Sequence, residues 1–319
     1  MKIIALLPVK NESWILPTYL SSMKKIADEI IAIDDGSTDN SKQILCDAGA
    51  FVYENKEKLK SGWPEYSIRQ NLLKLGREHG GTHFICLDAD EVLSANFLKN
   101  GKDIIKKLRP GQKISMQWIY LWKNHLQYLD DKRSLFKDNF KDFIFFDKPG
   151  MQHEYNFMHV GRTPGENKQE NIIKINNNQG VCLHFTSVNW KNLMLKQAWV
   201  RCSDLIEKQE SYAKINNRYY NPAEKKQFHL SDTPAEWLEG IDLPKNVEKL
   251  PLDWHLPALL KFFDLYGIEF FEPLEIWDIK ELENEFIKRT GRKPKSSKLH
   301  IYLQPIIKIK RKINKIFSI

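Results

Sequence analysis

Phe84-Ile85-Cys86-Leu87-Asp88-Ala89-Asp90-Glu91 is the stretch whose reading decides the fold. Four apolar residues signal a short buried strand, and three carboxylates follow within the next four positions. A strand that ends in acid places the acid at its carboxyl edge, where open α/β sheets bind their ligands. In an extended segment Asp88 and Asp90 point to one side and Ala89 to the other. Two hard oxygen ligands on one side suit a divalent cation that is itself held by phosphates.

Upstream, Lys2 to Val9 reads as a buried first strand. Asn11-Glu12-Ser13 then offers capping side chains to a helix that carries Leu16, Leu20, Met23 and Ile26. A second strand, Glu29 to Ile33, runs into Asp34-Asp35-Gly36-Ser37-Thr38-Asp39-Asn40-Ser41, a turn and helix start. Ala50 to Tyr53 reads as a third strand and Tyr66 to Gly76 as a helix. This βαβα opening predicts an α/β domain whose mostly parallel sheet is flanked by helices. Downstream, the pattern predicts a helix over 96–108, a strand over 114–121, a strand at Val181 to Phe185 and a long helix from Trp190. Between them, 122–157 is polar and aromatic-rich, and 163–171 has loop composition.

The net charge of +8 is concentrated at one end: eleven Lys and Arg follow residue 287 and no acid does, so residues 1–287 carry 8 − 11 = −3. That distribution argues against a nucleic-acid-binding body and for an anionic partner of the C-terminus. Cys46, Cys86, Cys182 and Cys202 form no CxxC pair and read as free thiols in a reducing compartment. The apolar run from Ile3 to Leu7 is too short for a secretory signal, and no run is long enough to span a bilayer, so a cytoplasmic location is expected. No GxGxxG follows the first strand, which disfavours a nicotinamide enzyme, and no GxxxxGK[ST] phosphate loop is present.

Leu7-Pro8-Val9-Lys10-Asn11-Glu12, Ile33 to Asp39, Arg69 in a helix and Leu87-Asp88-Ala89-Asp90-Glu91, in that order and spacing, resemble the nucleotide-sugar half of family 2 glycosyltransferases. The resemblance covers residues 1–95 and implies the GT-A fold, a nucleotide-diphosphate-sugar donor, a divalent cation (Mn or Mg) and inversion at the anomeric carbon. By the same resemblance Pro8, Glu12, Asp34 and Asp35 line the nucleoside pocket and Arg69 reaches the base or diphosphate. Asp88 and Asp90 then form the DxD element, with Asp90 the direct metal contact. Leu135-Phe136-Lys137, then His153-Glu154, and Leu183-His184-Phe185 resemble an LFR segment, an HE pair and a late metal-site histidine seen in some members. Lys137 stands where Arg is usual.

On that basis Glu154 is the candidate base for the acceptor hydroxyl. His184 is the candidate third metal ligand, a softer donor that favours Mn over Mg. Each residue also has a plainer reading: Glu154 as a surface carboxylate, His184 as a hydrogen-bonded core histidine, Arg69 as a helix-surface charge.

The resulting division is a GT-A domain over 1–210 (1–95 nucleotide-sugar half, 96–210 acceptor half), a mainly helical extension over 211–298 and a basic amphipathic tail over 299–319. In the tail, Ile306, Ile309, Ile313, Ile316 and Phe317 share one helical face, and Lys308, Arg311, Lys312 and Lys315 the other. Such a helix suits an anionic membrane surface or a protein partner. The expected activity is transfer of a sugar to a glycan or lipid-linked acceptor. The alternatives are a sugar-nucleotide nucleotidyltransferase, or a non-catalytic glycan- or membrane-binding module on the same fold.

Overall fold

The computed structural model describes residues 1–57, 64–131, 139–156, 160–165, 168–208, 210–218, 228–247, 250 and 254–295. The Leu135-Phe136-Lys137 segment and the 299–319 tail lie outside the described residues.

Eleven strands and nine α-helices are assigned among the described residues. The strands are β1 (Ile3–Val9), β2 (Glu29–Asp34), β3 (Phe51–Glu54), β4 (His83–Cys86), β5 (Glu91–Leu93), β6 (Lys113–Tyr120), β7 (Gln127–Leu129), β8 (Phe140–Phe146), β9 (Ile172–Lys174), β10 (Cys182–His184) and β11 (Leu230–Asp232). The helices are α1 (Leu16–Met23), α2 (Ser41–Asp47), α3 (Glu65–Glu78), α4 (Ala95–Lys106), α5 (Trp190–Lys208), α6 (Tyr212–Arg218), α7 (Ala235–Leu238), α8 (His255–Tyr266) and α9 (Lys280–Thr290). They form two compact units, Met1–Trp190 with Phe228–Leu250, and Lys191–Gln227 with Pro251–Ile319. Whereas the sequence suggests a linear division near 210, the segment Phe228–Leu250 returns to the first unit, where β11 pairs with β7.

The first unit is built on a mixed sheet in the order β3-β2-β1-β4-β8-β6-β10-β5, with β9 beside β6. β3, β2, β1 and β4 are parallel, and β8 enters antiparallel between β4 and β6. Every residue of β1 and β4 is buried, the continuous apolar pattern of strands covered on both faces. Alternation sorts the side chains. Ile3, Ala5, Leu7 and Val9 face the core formed with Leu16, Tyr19 and Met23 of α1, while Ile4 and Leu6 face Ile68, Leu72 and Leu73 of α3.

Strand order reverses at β1, so a crevice opens beyond the carboxyl ends of β1 and β4. Pairing of β1 with β4 stops at Leu6–Cys86, two residues before Pro8. A proline inside a central strand is tolerated because the ladder on that side has already ended.

Helix α3 seats directly on β4. A Cβ on Gly76 would stand 2.5 Å from Cε1 of Phe84, a ring buried completely, so only glycine allows this approach.

The second unit is helical. Trp199 meets Trp254 at 5.0 Å between ring centroids, and Trp277 meets Phe286 at 4.9 Å. Asn216 of α6 donates to the Pro273 carbonyl and accepts from Glu275 N, tying the helix to the 273–275 segment. Among the described residues no helix is long and apolar enough to cross a membrane.

Gly76→Ala gains about 1 kcal/mol of helix propensity but overpacks Phe84, a fault that costs about 1–3 kcal/mol. The expected outcome in urea denaturation is a net loss of up to about 2 kcal/mol. Adding Phe84→Leu to that variant should cost less than Phe84→Leu does alone.

Candidate functional site

Two acidic strand ends reach the same edge of the sheet, one on each side of β1. At the first, the β1–α1 and β2–α2 loops bond to each other. Asn11 takes a left-handed conformation (φ 54°), and its Oδ1 accepts from Thr38 N at 2.6 Å and Asp39 N at 3.3 Å. Backbone amides of Asn11, Glu12 and Ser13 donate to Ser37 Oγ, Ser41 Oγ and Asp39 Oδ2 at 2.9, 2.8 and 3.0 Å. Asn11-Glu12-Ser13 therefore does not cap α1, as its composition suggests, but cross-links two loops; α1 begins after Ile15 without a side-chain cap.

Asp34 and Asp35 are both 4% exposed. Asp34 accepts from the amide and hydroxyl of Ser37, closing a turn in which Gly36 supplies φ 79°. Asp35 pairs with Lys10 Nζ at 2.8 Å and accepts from Asn55 Nδ2 at 2.7 Å. Pro8 is buried at the end of β1 beside Ile33, and Glu12, half-buried, accepts from Trp14 Nε1 at 2.9 Å.

At the second strand end, Asp88 to Glu91 is not extended. It folds into a turn closed by Glu91 N donating to Asp88 O at 3.0 Å, so the two aspartates do not share a strand face and meet different partners. Arg69, from α3, donates through Nε to Glu65 Oε1 at 2.9 Å and through Nη2 to Asp88 Oδ1 at 2.8 Å. Arg162, from the β8–β9 connection, donates through Nη2 to Asp88 Oδ2 at 2.8 Å. It also forks onto Glu91, with Nε to Oε2 at 2.9 Å and Nη2 to Oε1. Glu91 is fully buried, and its Oε2 accepts the Asp88 amide at 2.8 Å.

Burial opposes ionisation of Asp88, but Arg162 and then Arg69 outweigh it and hold the carboxyl at about 2. Burial pushes Glu91 upward against the pull of Arg162. It also pushes the neighbouring Cys86 thiol to about 12, so this free cysteine is an inert core residue.

Asp90 faces His184, with Oδ2 3.3 Å from Nε2. Strand β10 positions the histidine between β5 and β6, with His184 opposite Glu91 on one side and Tyr120 on the other. Its ring stacks on Trp118 at 4.4 Å, and Trp118 also contacts the Arg162 guanidinium at 4.8 Å. Two ligands bound at about 2.1 Å and at near right angles on one ion lie about 3 Å apart, so the Asp90–His184 spacing fits two ligands of a shared cation. Among the described residues no three His, Cys, Asp or Glu side chains converge as a metal site. Any ion here would take its other ligands from phosphate or water.

Glu154 is exposed and, among the described residues, makes no hydrogen bond or ion pair. Its loop is anchored on α3. Arg77 donates to the Met151 carbonyl, His153 N to Gln70 and Val160 N to Glu65, while Tyr155 packs edge-on to Tyr66.

Arg162, Glu91, Glu65, Trp118, Lys10 and Asn55 belong to these clusters, and the sequence assigns none of them a role; Glu91 and Lys10 stand only inside the quoted motifs. For Glu91 the adjacent Asp88-Ala89-Asp90 was a pointer. For Arg162, 74 residues from Asp88, there was none.

The sequence pattern described as "Glycosyl transferase family 2" matches residues 5–164, half of the chain. The chain belongs to that family. Its sheet and flanking helices are those of a GT-A fold, and the match extends through both acidic strand ends to Arg162. Among solved structures, S. aureus TarS (residues 1–349) aligns over 92% of each chain at 14% identity, with a TM-score of 0.41. Glucosyl-3-phosphoglycerate synthase from Mycobacterium tuberculosis, solved with Mg2+ and uridine diphosphate, aligns at 20% identity over 37% of this chain and 43% of its own, with a TM-score of 0.28. A mycobacterial protein aligns at 20% identity over 39% and 42%, also at 0.28. The chain thus spans less than half the length of these two mycobacterial structures. No curated protein matches it in sequence.

His153 is 5% exposed, and burial, then the nearby Arg69 charge, lowers its pKa to about 4. Below about 6.5 the unfolded chain protonates this group while the folded chain does not, so stability falls as pH drops from about 6.5 to about 4. Thermal melts across that window should show the decline, and His153→Gln should flatten it.

Proposed function

We propose that this chain moves a sugar from a nucleotide-diphosphate donor to a glycan or lipid-linked acceptor, with inversion at the anomeric carbon and with a divalent cation, Mn or Mg, at the leaving group. The observation that carries this reading is the pair of acidic strand ends on one edge of the sheet, Asp34-Asp35 after β2 and Asp88 to Glu91 after β4, flanking the crevice beside β1.

In this reading Pro8, Glu12, Asp34 and Asp35 hold the nucleoside. Lys10 and Asn55 hold the Asp35 carboxylate in place. Arg69, which the resemblance directs to the base or diphosphate, is buried and bonded to Glu65 and Asp88, and in this reading acts instead as a positioning residue for Asp88. Asp88, Asp90 and His184 are the metal ligands, and Asp88 also holds the donor side of the same site. A cation bound there would take up charge that grows on the departing diphosphate.

Glu154 accepts the proton of the acceptor hydroxyl, from a loop that α3 holds in place. The 299–319 tail, with its basic and apolar faces, binds an anionic membrane surface and brings the catalytic unit to a lipid-linked acceptor.

Purified protein with Mn2+ and a panel of nucleotide-sugars should hydrolyse or transfer from one donor. Asp90→Ala should lower that rate on the order of 100-fold or more. Glu154→Gln should keep donor binding, read as a thermal shift, and lose on the order of 100-fold or more in turnover. Full activity in Glu154→Gln would eliminate it as the base. Removing residues 299–319 should release the protein from anionic vesicles at low salt, and undiminished binding would overturn the role of the tail.

A further inference from the structure

Both oxygens of Asp88 already accept from guanidinium groups, Oδ1 from Arg69 and Oδ2 from Arg162, each at 2.8 Å. The two arginines are held differently. Arg69 is an integral part of α3, 4% exposed, with its Nε committed to Glu65. Arg162 comes from a connection whose backbone is tied to α3 at Met151, His153 and Val160. Its guanidinium lies between Asp88 and Glu91 and against the rings of Trp118, at 4.8 Å, and Phe143, at 5.8 Å.

We propose that Arg162 is a place-holding cation: in the donor-free chain its guanidinium occupies Asp88 in competition with a divalent ion, and when metal and diphosphate enter together it turns from Asp88 onto the diphosphate. The proposal rests on the metal-dependent reading of this site.

Arg69 joins Glu65 to Asp88, and Arg162 joins Asp88 to Glu91. Without Arg162 the fully buried Glu91 and one oxygen of Asp88 would lose the guanidinium set against them, so this pair of carboxylates needs a resident cation. A guanidinium suits that part because its planar fork binds carboxylate and phosphate oxygens in the same geometry. Trp118 gives it a surface to slide along. The same indole touches Arg162 and His184, so a guanidinium moving from Asp88 toward the Asp90–His184 pair keeps an aromatic face beside it. Side-chain torsions supply the movement, since the backbone is tied before Arg162 at Val160 and after it at Gly165, whose N donates to Gln152 O at 3.0 Å.

The test is a calorimetric titration of the full chain with Mn2+, with and without inorganic pyrophosphate. It compares wild type with the double variant Arg162→Gln/Glu91→Gln, which removes one charge of each sign and leaves local net charge unchanged. Competition for Asp88 predicts at least about tenfold tighter Mn2+ binding by the double variant without pyrophosphate, and loss or reversal of that advantage with it, where the guanidinium is needed on the diphosphate. Equal or weaker Mn2+ binding by the folded double variant without pyrophosphate overturns the proposal. An advantage that persists undiminished with pyrophosphate also overturns it. Should the double variant not fold, Arg162→Lys keeps Glu91 paired but cannot span both carboxylates, and the same comparisons decide. If wild type binds no Mn2+ even with pyrophosphate, the metal-dependent reading itself fails and the proposal with it. Binding by wild type with an unimproved variant removes the proposal alone.

Discussion

The Asp88 carboxylate, held between Arg69 and Arg162, is the interaction on which the rest of the site depends. A carboxylate that is two-thirds covered loses much of its hydration, and only close countercharges restore the balance. Those countercharges also connect elements. Arg69 binds α3 to the end of β4, and Arg162 binds the β8–β9 connection to the same point. Glu65 joins the two, accepting from Arg69 with one oxygen and from Val160 N with the other. One electrostatic requirement therefore fixes a helix, a strand end and a loop together, and the loop is the one that carries Glu154.

The other acidic strand end is organised by hydrogen bonds between two loops. Asn11 tolerates a left-handed backbone, which turns its amide oxygen onto the Thr38 and Asp39 amides. Ser37, Asp39 and Ser41 return the favour to the amides of 11–13. The polar residues of both loops thus hold the two loops together, and Asp35 is paired with Lys10.

The parallel part of the sheet was legible because β1, β2 and β4 are covered on both faces and so read as short apolar runs, and α3 because its apolar period is regular. Strand β8 was not. Phe140 to Phe146 mixes aromatic and charged residues, and it enters antiparallel between β4 and β6, a placement that no local pattern dictates. The return of Phe228–Leu250 to the first unit rests on three β11–β7 residue pairs about 100 positions apart, beyond the reach of periodicity. At the site, Asp34, Asp35, Asp88 and Asp90 announced themselves as acid at strand ends. The turn that separates Asp88 from Asp90 did not, because Asp-Ala-Asp-Glu fits an extended run equally well, and the closing bond from Glu91 to Asp88 depends on β5 pairing with β10.

That turn changes what the two aspartates can do. Had they shared a strand face, they would form one bidentate acid pair with similar surroundings. Instead Asp88 sits against two arginines, and Asp90 against a histidine delivered by a strand nearly a hundred residues later. A carboxylate saturated by guanidinium groups is a poor first ligand for a free ion, whereas one that faces an imidazole nitrogen at 3.3 Å has the spacing of two ligands on one ion. On the proposed reading, Arg69 and Arg162 suit the anionic diphosphate, and the Asp90–His184 pair suits the cation that accompanies it. On the same reading, diphosphate alone would bring anions up to the carboxylates of Asp88 and Asp90, so its entry depends on the cation.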